Sequence, residues 1–202
     1  MKIYIASSNK HKIAEFAQMF AHAGIDCAIA GADGVAGFAP PEENGTSFRE
    51  NAFIKARSLK KLAGANYVFA DDSGIVVDAL GGAPGIFSAR YAGVHGPDAD
   101  ARNNEKLLRE LENVPDKKRS ARFVCSIALI CPDGEEKHFE GKIEGFINRS
   151  AAGCGGFGYD PLFYVPRFGK TTAELSPEEK NKVSHRGAAF AQMAEFLKSK
   201  IG

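Results

Sequence analysis

The sequence predicts an α/β fold, a mixed central sheet flanked by helices, and three observations carry that expectation. Short apolar runs of strand length alternate with stretches whose apolar residues recur at helical spacing. The segment Arg122 to Cys131 is apolar on both alternating faces, as in a central strand buried on both sides. Glycine is in excess, 22 of 202 residues, roughly 11% against a usual ~7%. Much of it falls in 31–45, 81–96 and 153–158, so the loops there form a cleft in a single α/β body.

The elements follow in order. Lys2 to Ala6 is a buried strand. Ser7, Ser8 and Asn9 offer helix caps, and Ile13, Phe16, Ala17 and Phe20 then repeat helically until Gly24. Ile25 to Ala30 is a second strand, and 31–46, rich in Gly and Pro, is a loop. Ser47 and Glu50 make a capping box that opens a helix through Ala52, Ala56 and Leu59 to Gly64. Tyr67 to Ala70 is a strand ending at Asp71-Asp72-Ser73-Gly74, with a second extended run from Ile75 to Leu80. Asp98 to Asn113 is helical, with Leu107, Leu108 and Leu111 on one face. Pro132-Asp133-Gly134 turns the central strand into Glu135 to Ile147, one polar strand or two. Leu162 to Val165 is a short strand, and Ser184 caps a last helix carrying Ala189, Met193, Phe196 and Leu197.

Composition excludes several classes. With 26 basic and 25 acidic residues, the net charge of +1 gives no field to attract nucleic acid or an acidic membrane. No apolar run approaches the ~18 residues of a membrane span. The opening carries no signal-peptide core, and the four cysteines hold no C-x-x-C pair, so a cytoplasmic protein with reduced thiols is expected. Gly153 to Gly158 spells G-x-G-x-x-G but leads into an extended run, so a dinucleotide site fails. Gly169-Lys170-Thr171 lacks the first glycine of a P-loop, Tyr164 standing there. The five histidines share no metal-ligand spacing.

What remains is a set of polar loops. Ser7-Ser8-Asn9-Lys10-His11-Lys12 joins a strand to a helix N-terminus, where free N–H groups and the helix dipole favour phosphate; a capped helix with solvated lysines reads as well. Glu42-Glu43 and Asp71-Asp72 supply carboxylates that can hold magnesium, though each pair alone suits a solvated loop. Phe157-Gly158-Tyr159-Asp160 combines rings able to stack on a base with an acid able to accept from it. Ser184-His185-Arg186-Gly187 puts an imidazole and a guanidinium at a helix start.

The segments SSNKHK, PPEENGTSFRENAFIKA, FADDSGIVVDALGGAPGIFSARYAG, GGFGYDPLF and SHRG occur in one order over nearly the whole chain. In this the chain resembles the inosine triphosphate pyrophosphatase family; Ser8 departs from it, standing where many members carry Gly. The resemblance implies one catalytic domain over 1–202, with two lobes around a nucleotide-binding cleft. It implies magnesium-dependent hydrolysis of non-standard purine nucleoside triphosphates (ITP, dITP, XTP) to monophosphate and pyrophosphate. By the same resemblance, Ser7, Ser8, Asn9, Lys10, His11 and Lys12 line the triphosphate site, and Lys55 is a further phosphate contact. Glu42 and Asp72 match the metal positions, with Glu43 and Asp71 as neighbours able to substitute. Asp72 also matches the proton acceptor, and Ser73 contacts substrate. Phe157, Gly158, Tyr159, Asp160, Lys180, His185 and Arg186 are assigned to base and sugar. A homodimer in the cytoplasm, with no nucleic-acid or membrane partner, completes the expectation.

Overall fold

Seven strands and five helices form in the computed structural model, which describes residues 1–201. In chain order they are β1 (Lys2–Ile5), α1 (Lys10–His22), β2 (Ala28–Gly31), α2 (Phe48–Ala63), β3 (Tyr67–Val77), α3 (Ala99–Glu110), β4 (Ser120–Ile130), β5 (Glu136–Ile147), β6 (Phe163–Val165), β7 (Lys170–Thr171), α4 (Pro177–Val183) and α5 (His185–Ile201). The sheet order is β2-β1-β3-β4-β5-β6-β7, which puts β4 at its centre. β1 runs parallel to β2 and β3, whereas β5, β6 and β7 pair antiparallel. The expected mixed α/β sheet is therefore present.

The chain divides into two compact units. The first comprises Met1–Asp72, Cys125–Gly141 and the segment from Arg186 onward. Strand alternation gives it two cores. On one face Ile3, Ile5, Phe69, Ile127 and Leu129 pack with Phe16 and Phe20 of α1 and Phe190, Met193 and Leu197 of α5. Phe16 meets Phe69 edge-on at 4.9 Å and Phe20 meets Phe190 at 4.8 Å. On the other, Val68, Ala70, Ala128 and Ile130 pack with Ala52, Phe53, Ala56 and Leu59 of α2. Each fully buried Val, Leu, Ile, Met or Phe side chain among these stabilises by about 1.5–3 kcal/mol.

The second unit comprises Ser73–Val124 and Lys142–His185. Ile75, Val77, Leu107, Leu111, Phe123, Ile147, Leu162 and Phe163 form its core. Arg119 is buried without a carboxylate. Its guanidinium donates instead to the carbonyls of Leu111, Ile147 and Asn148 at 2.6–2.9 Å, so every bond it makes there ties backbone together.

Three differences from the sequence reading have physical causes. β3 does not stop at Asp71; it continues through Asp72-Ser73-Gly74 to Val77. Two adjacent acids and a glycine read as a turn, but cations neutralise both acids within the strand. Gly74 is needed there because a Cβ would run into Ser88 and the Gly85 carbonyl; Ser88 Oγ accepts from Ile75 N at 2.9 Å. Ser47 accepts from Glu50 N, yet the Glu50 carboxylate turns back to Thr46 N and Oγ1 rather than to Ser47 N, so the box is not reciprocal. Finally, α4 was not anticipated. Ser176, Pro177 and Glu179 open it with a full capping box, and Ser184 ends it.

Candidate active site

In the first unit, β1 delivers its chain to α1 through Ser7, Ser8 and Asn9. Asn9 is the cap: its Oδ1 accepts from His11 N at 3.0 Å and Lys12 N at 3.2 Å. Ser7 Oγ accepts from Asn9 N at 3.1 Å. Ser8, Asn9, Lys10 and His11 are exposed, whereas Lys12 is half-buried. The loop is thus a capped helix start in which Ser7 Oγ and Asn9 Oδ1 both accept from backbone N–H groups.

Alternation along β3 sends its two acids to opposite faces. Asp71 faces α1 and α5, with Lys12 Nζ at 2.9 Å and Arg186 Nε at 3.5 Å. Arg186, 2% exposed, also holds Glu15 at 2.5 Å. Burial alone would raise the Asp71 pKa, but Lys12, Arg186 and Lys55 together hold it well below the usual carboxylate range. Asp72 faces α2, where Lys55 Nζ bonds its Oδ1 at 2.7 Å and reaches Glu43 at 3.3 Å. For Asp72 burial wins over Lys55, and its pKa is pushed up to about 6. Its Oδ2 is buried and has no hydrogen-bond partner among the described residues.

The ion pairs seen among the described residues set Lys12, Lys55 and Arg186 against Asp71, Asp72, Glu43 and Glu15, three cations against four carboxylates. The surplus negative charge and the orphaned oxygen of Asp72 fit a hard divalent cation, which binds oxygen and keeps several waters. Glu43 is the acid that Lys55 reaches; Glu42 is exposed. Asp71, expected as a possible substitute ligand, is instead committed to Lys12 and Arg186 on the other face. Cys131, Asp133 and Glu135 also gather within 4.8 Å. Lys137 and Lys200, however, already neutralise Glu135, and that group carries no surplus comparable to the first.

In the second unit, Asp160 organises the glycine-rich loop. It is 3% exposed, and Thr172 Oγ1 donates to its Oδ1 at 2.9 Å. Phe157 N and Lys180 Nζ donate to its Oδ2 at 2.9 and 2.7 Å. Gly156 must be glycine: its φ is +73°, and a Cβ there would collide with the Asp160 carboxylate. Lys180 Nζ lies 5.0 Å from the Phe157 ring centroid. His185 stacks on Phe123 at 4.8 Å. Ser73, half-buried on β3, begins this unit.

One sequence reading changes here. Tyr159 is not a stacking ring, because it is core: 5% exposed, with its hydroxyl donating to Ser88 O at 2.8 Å. Phe157, two positions earlier, is half-buried. Arg186, expected at base and sugar, reaches Glu15 and Asp71 of the first unit among its partners. Sequence reasoning missed Glu15 and Thr172. No local spacing signals either one: Glu15 meets Arg186, and Thr172 meets Asp160, only through the fold.

The first unit gathers three cations and four carboxylates, and the second a ring, an acid and a lysine, within an α/β fold. Residues 3–196 match the model of the Ham1 family, and the chain belongs to that family. It is 47% identical over 199 residues to a dITP/XTP pyrophosphatase of Listeria monocytogenes, covering 97% of this chain and 94% of that protein. It is 48% identical over 193 residues to a dITP/XTP pyrophosphatase of Halalkalibacterium halodurans, covering 96% and 97%. Among solved structures, the Ham1 protein of Staphylococcus aureus superposes with a TM-score of 0.84 at 43% identity, covering 99% of this chain and all of that one. A HAM1 protein from Coxiella burnetii gives 0.86 at 40%, covering 98% and 99%.

Proposed function

We propose that this protein is a magnesium-dependent nucleoside triphosphate pyrophosphatase that removes ITP, dITP and XTP from the nucleotide pool, releasing the monophosphate and pyrophosphate. The observation that carries the reading is the buried, unpartnered Asp72 Oδ2 inside a cluster with more carboxylates than cations. The names borne by relatives at 47–48% identity supply the substrate class.

Asp72 and Glu43, with Glu42 beside it, would hold the ion. Magnesium, when bound, supplies charge that neutralises the triphosphate oxygens. Lys12 and Lys55 hold phosphate oxygens by exchanging their carboxylate partners for phosphate, so little new order is needed. Ser7, Ser8, Asn9, Lys10 and His11 line the same helix N-terminus. Water is the nucleophile: its oxygen bonds to the α-phosphorus, the bond to the bridging oxygen breaks, and pyrophosphate leaves. As the water's oxygen bonds to phosphorus, one of its protons passes to a carboxylate of this cluster, the role that the resemblance gives to Asp72.

Phe157 offers its ring to the base. Lys180, already oriented by Asp160, presents a donor to O6 of hypoxanthine or xanthine; the N6 amino group of adenine cannot accept it. Such a polar mismatch can discriminate by about 10⁴-fold. Gly158, Tyr159, His185 and Arg186 support the base and sugar end, and Ser73 the phosphate end. Both units serve one catalytic activity, in a homodimer. Four cysteines without disulfides suit the cytoplasm as its compartment.

The test is pyrophosphate release from ITP, XTP, GTP and ATP with and without magnesium. Release from ITP and XTP only, dependent on the ion, is expected. Equal turnover of all four, or orthophosphate as the first product, contradicts the reading.

A further inference from the structure

α3 carries none of the chemistry assigned so far, yet one of its faces grips two loops of the second unit. Asp100, Asn103 and Asn104 stand at i, i+3 and i+4 and so share that face. Asp100 Oδ2 accepts from Gly158 N at 2.7 Å, and Asn104 Nδ2 donates to Gly158 O at 2.9 Å. Both backbone polar groups of one residue, the middle of Phe157-Gly158-Tyr159, are therefore held by successive turns of one helix. Asn103, 2% exposed, donates to Ser88 O and Ala89 O at 3.3 and 3.2 Å and accepts from Ala92 N at 2.7 Å. Tyr159 Oη closes the arrangement on Ser88 O.

The base-facing loop thus has two anchors. Asp160, Thr172 and Lys180 fix one end of it, and α3 fixes the peptide beside Phe157. Asp100 brings a formal charge to a backbone N–H, a stronger bond than a neutral pair and one that surface stapling alone does not call for. A shift of Gly158 carries Phe157 with it, because the two share a peptide bond.

We infer that Asp100 and Asn104 are specificity-determining positioning residues: they hold the peptides on either side of Gly158, next to Phe157, and thereby set how well the loop distinguishes one purine from another. This rests on the nucleotide reading above. Asp100 is exposed and Asn104 half-buried, so single substitutions leave the fold in place.

The experiment compares wild type with Asp100→Ser, Asn104→Ala and the double variant, in the full chain with magnesium. Each single variant should raise KM for ITP roughly tenfold with kcat little changed, and lower the ITP-to-GTP ratio of kcat/KM by a similar factor. The inhibition constant of pyrophosphate, which has no base, should stay within about twofold. Asp100→Asn, which keeps an acceptor oxygen, should restore most of the discrimination. Wild-type ITP-to-GTP selectivity in both single variants overturns the inference. So does a pyrophosphate constant that worsens in step with KM, since that reports general loosening. Failure of the wild-type protein itself to release pyrophosphate from ITP would overturn the underlying function, and it is seen before any variant is made.

Discussion

Two clusters of charge, one in each unit, are built on opposite principles. Around Asp160 every carboxylate oxygen is taken: Thr172 holds one, and Phe157 N and Lys180 share the other. Around Asp72 the account does not close, since Oδ2 is buried with no partner and carboxylates exceed cations. A closed cluster costs stability when broken and keeps a shape. An open one tolerates loss of its acid but cannot do without an added ion. The first principle suits the base-facing loop proposed above, the second the proposed magnesium and polyphosphate site.

The largest effect should come from opening the comparison at its functional end. Asp72→Asn is expected to lower magnesium-dependent pyrophosphate release from ITP by about 10³-fold while the far-UV spectrum stays native. Activity within tenfold of wild type would remove Asp72 from the mechanism. Stability should respond the other way round. Asp160→Asn leaves Lys180 buried beside a neutral group and should cost about 3 kcal/mol in denaturant unfolding. Asp72→Asn, measured without metal, should cost less than about 1 kcal/mol, because its charge is already disfavoured by burial. Equal losses would erase the distinction between the clusters.

A pH series sharpens the same point. The folded pKa of Asp72, about 6, lies above that of the unfolded chain. Between about pH 4 and 6 the native state keeps a proton that the unfolded state has lost. This group therefore contributes stability at low pH that is lost as pH rises through 6. The metal-free protein should gain about 2 kcal/mol from pH 7 to 4.5 relative to Asp72→Asn, and saturating magnesium should abolish the gain. Asp71 works oppositely: its pKa is depressed, so its contribution disappears only below about pH 4. The smallest effect separates neighbours. Glu43→Gln should raise the half-saturating magnesium concentration about tenfold, and Glu42→Gln by less than half as much. The reverse order would move the ion to Glu42.

The two regions were also unequally readable. Strand and helix signals around β1, α1, α2 and β4 are local, and the structure has these elements where periodicity and caps place them. Ser7 to Lys12 could be read as an anion site because a strand leading to a helix start is itself a local signal. Asp71 and Asp72 looked like a turn because sequence shows the acids but not Lys12, Lys55 and Arg186, which come from three helices to neutralise them. The second unit resists more strongly. Asp160 depends on Thr172 and Lys180, 12 and 20 residues away, and Gly158 on α3, more than 50 residues back. Tyr159 and Phe157 are chemically alike and two positions apart, yet one is core and the other faces outward. No local rule separates them.

Hydrolysis of ITP in ¹⁸O-labelled water with magnesium tests the central claim most directly, with both products resolved by mass. Attack at the α-phosphorus predicts the label in the inosine monophosphate and none in the pyrophosphate. Label in pyrophosphate, or in orthophosphate released beside inosine diphosphate, would contradict the reaction proposed for this site.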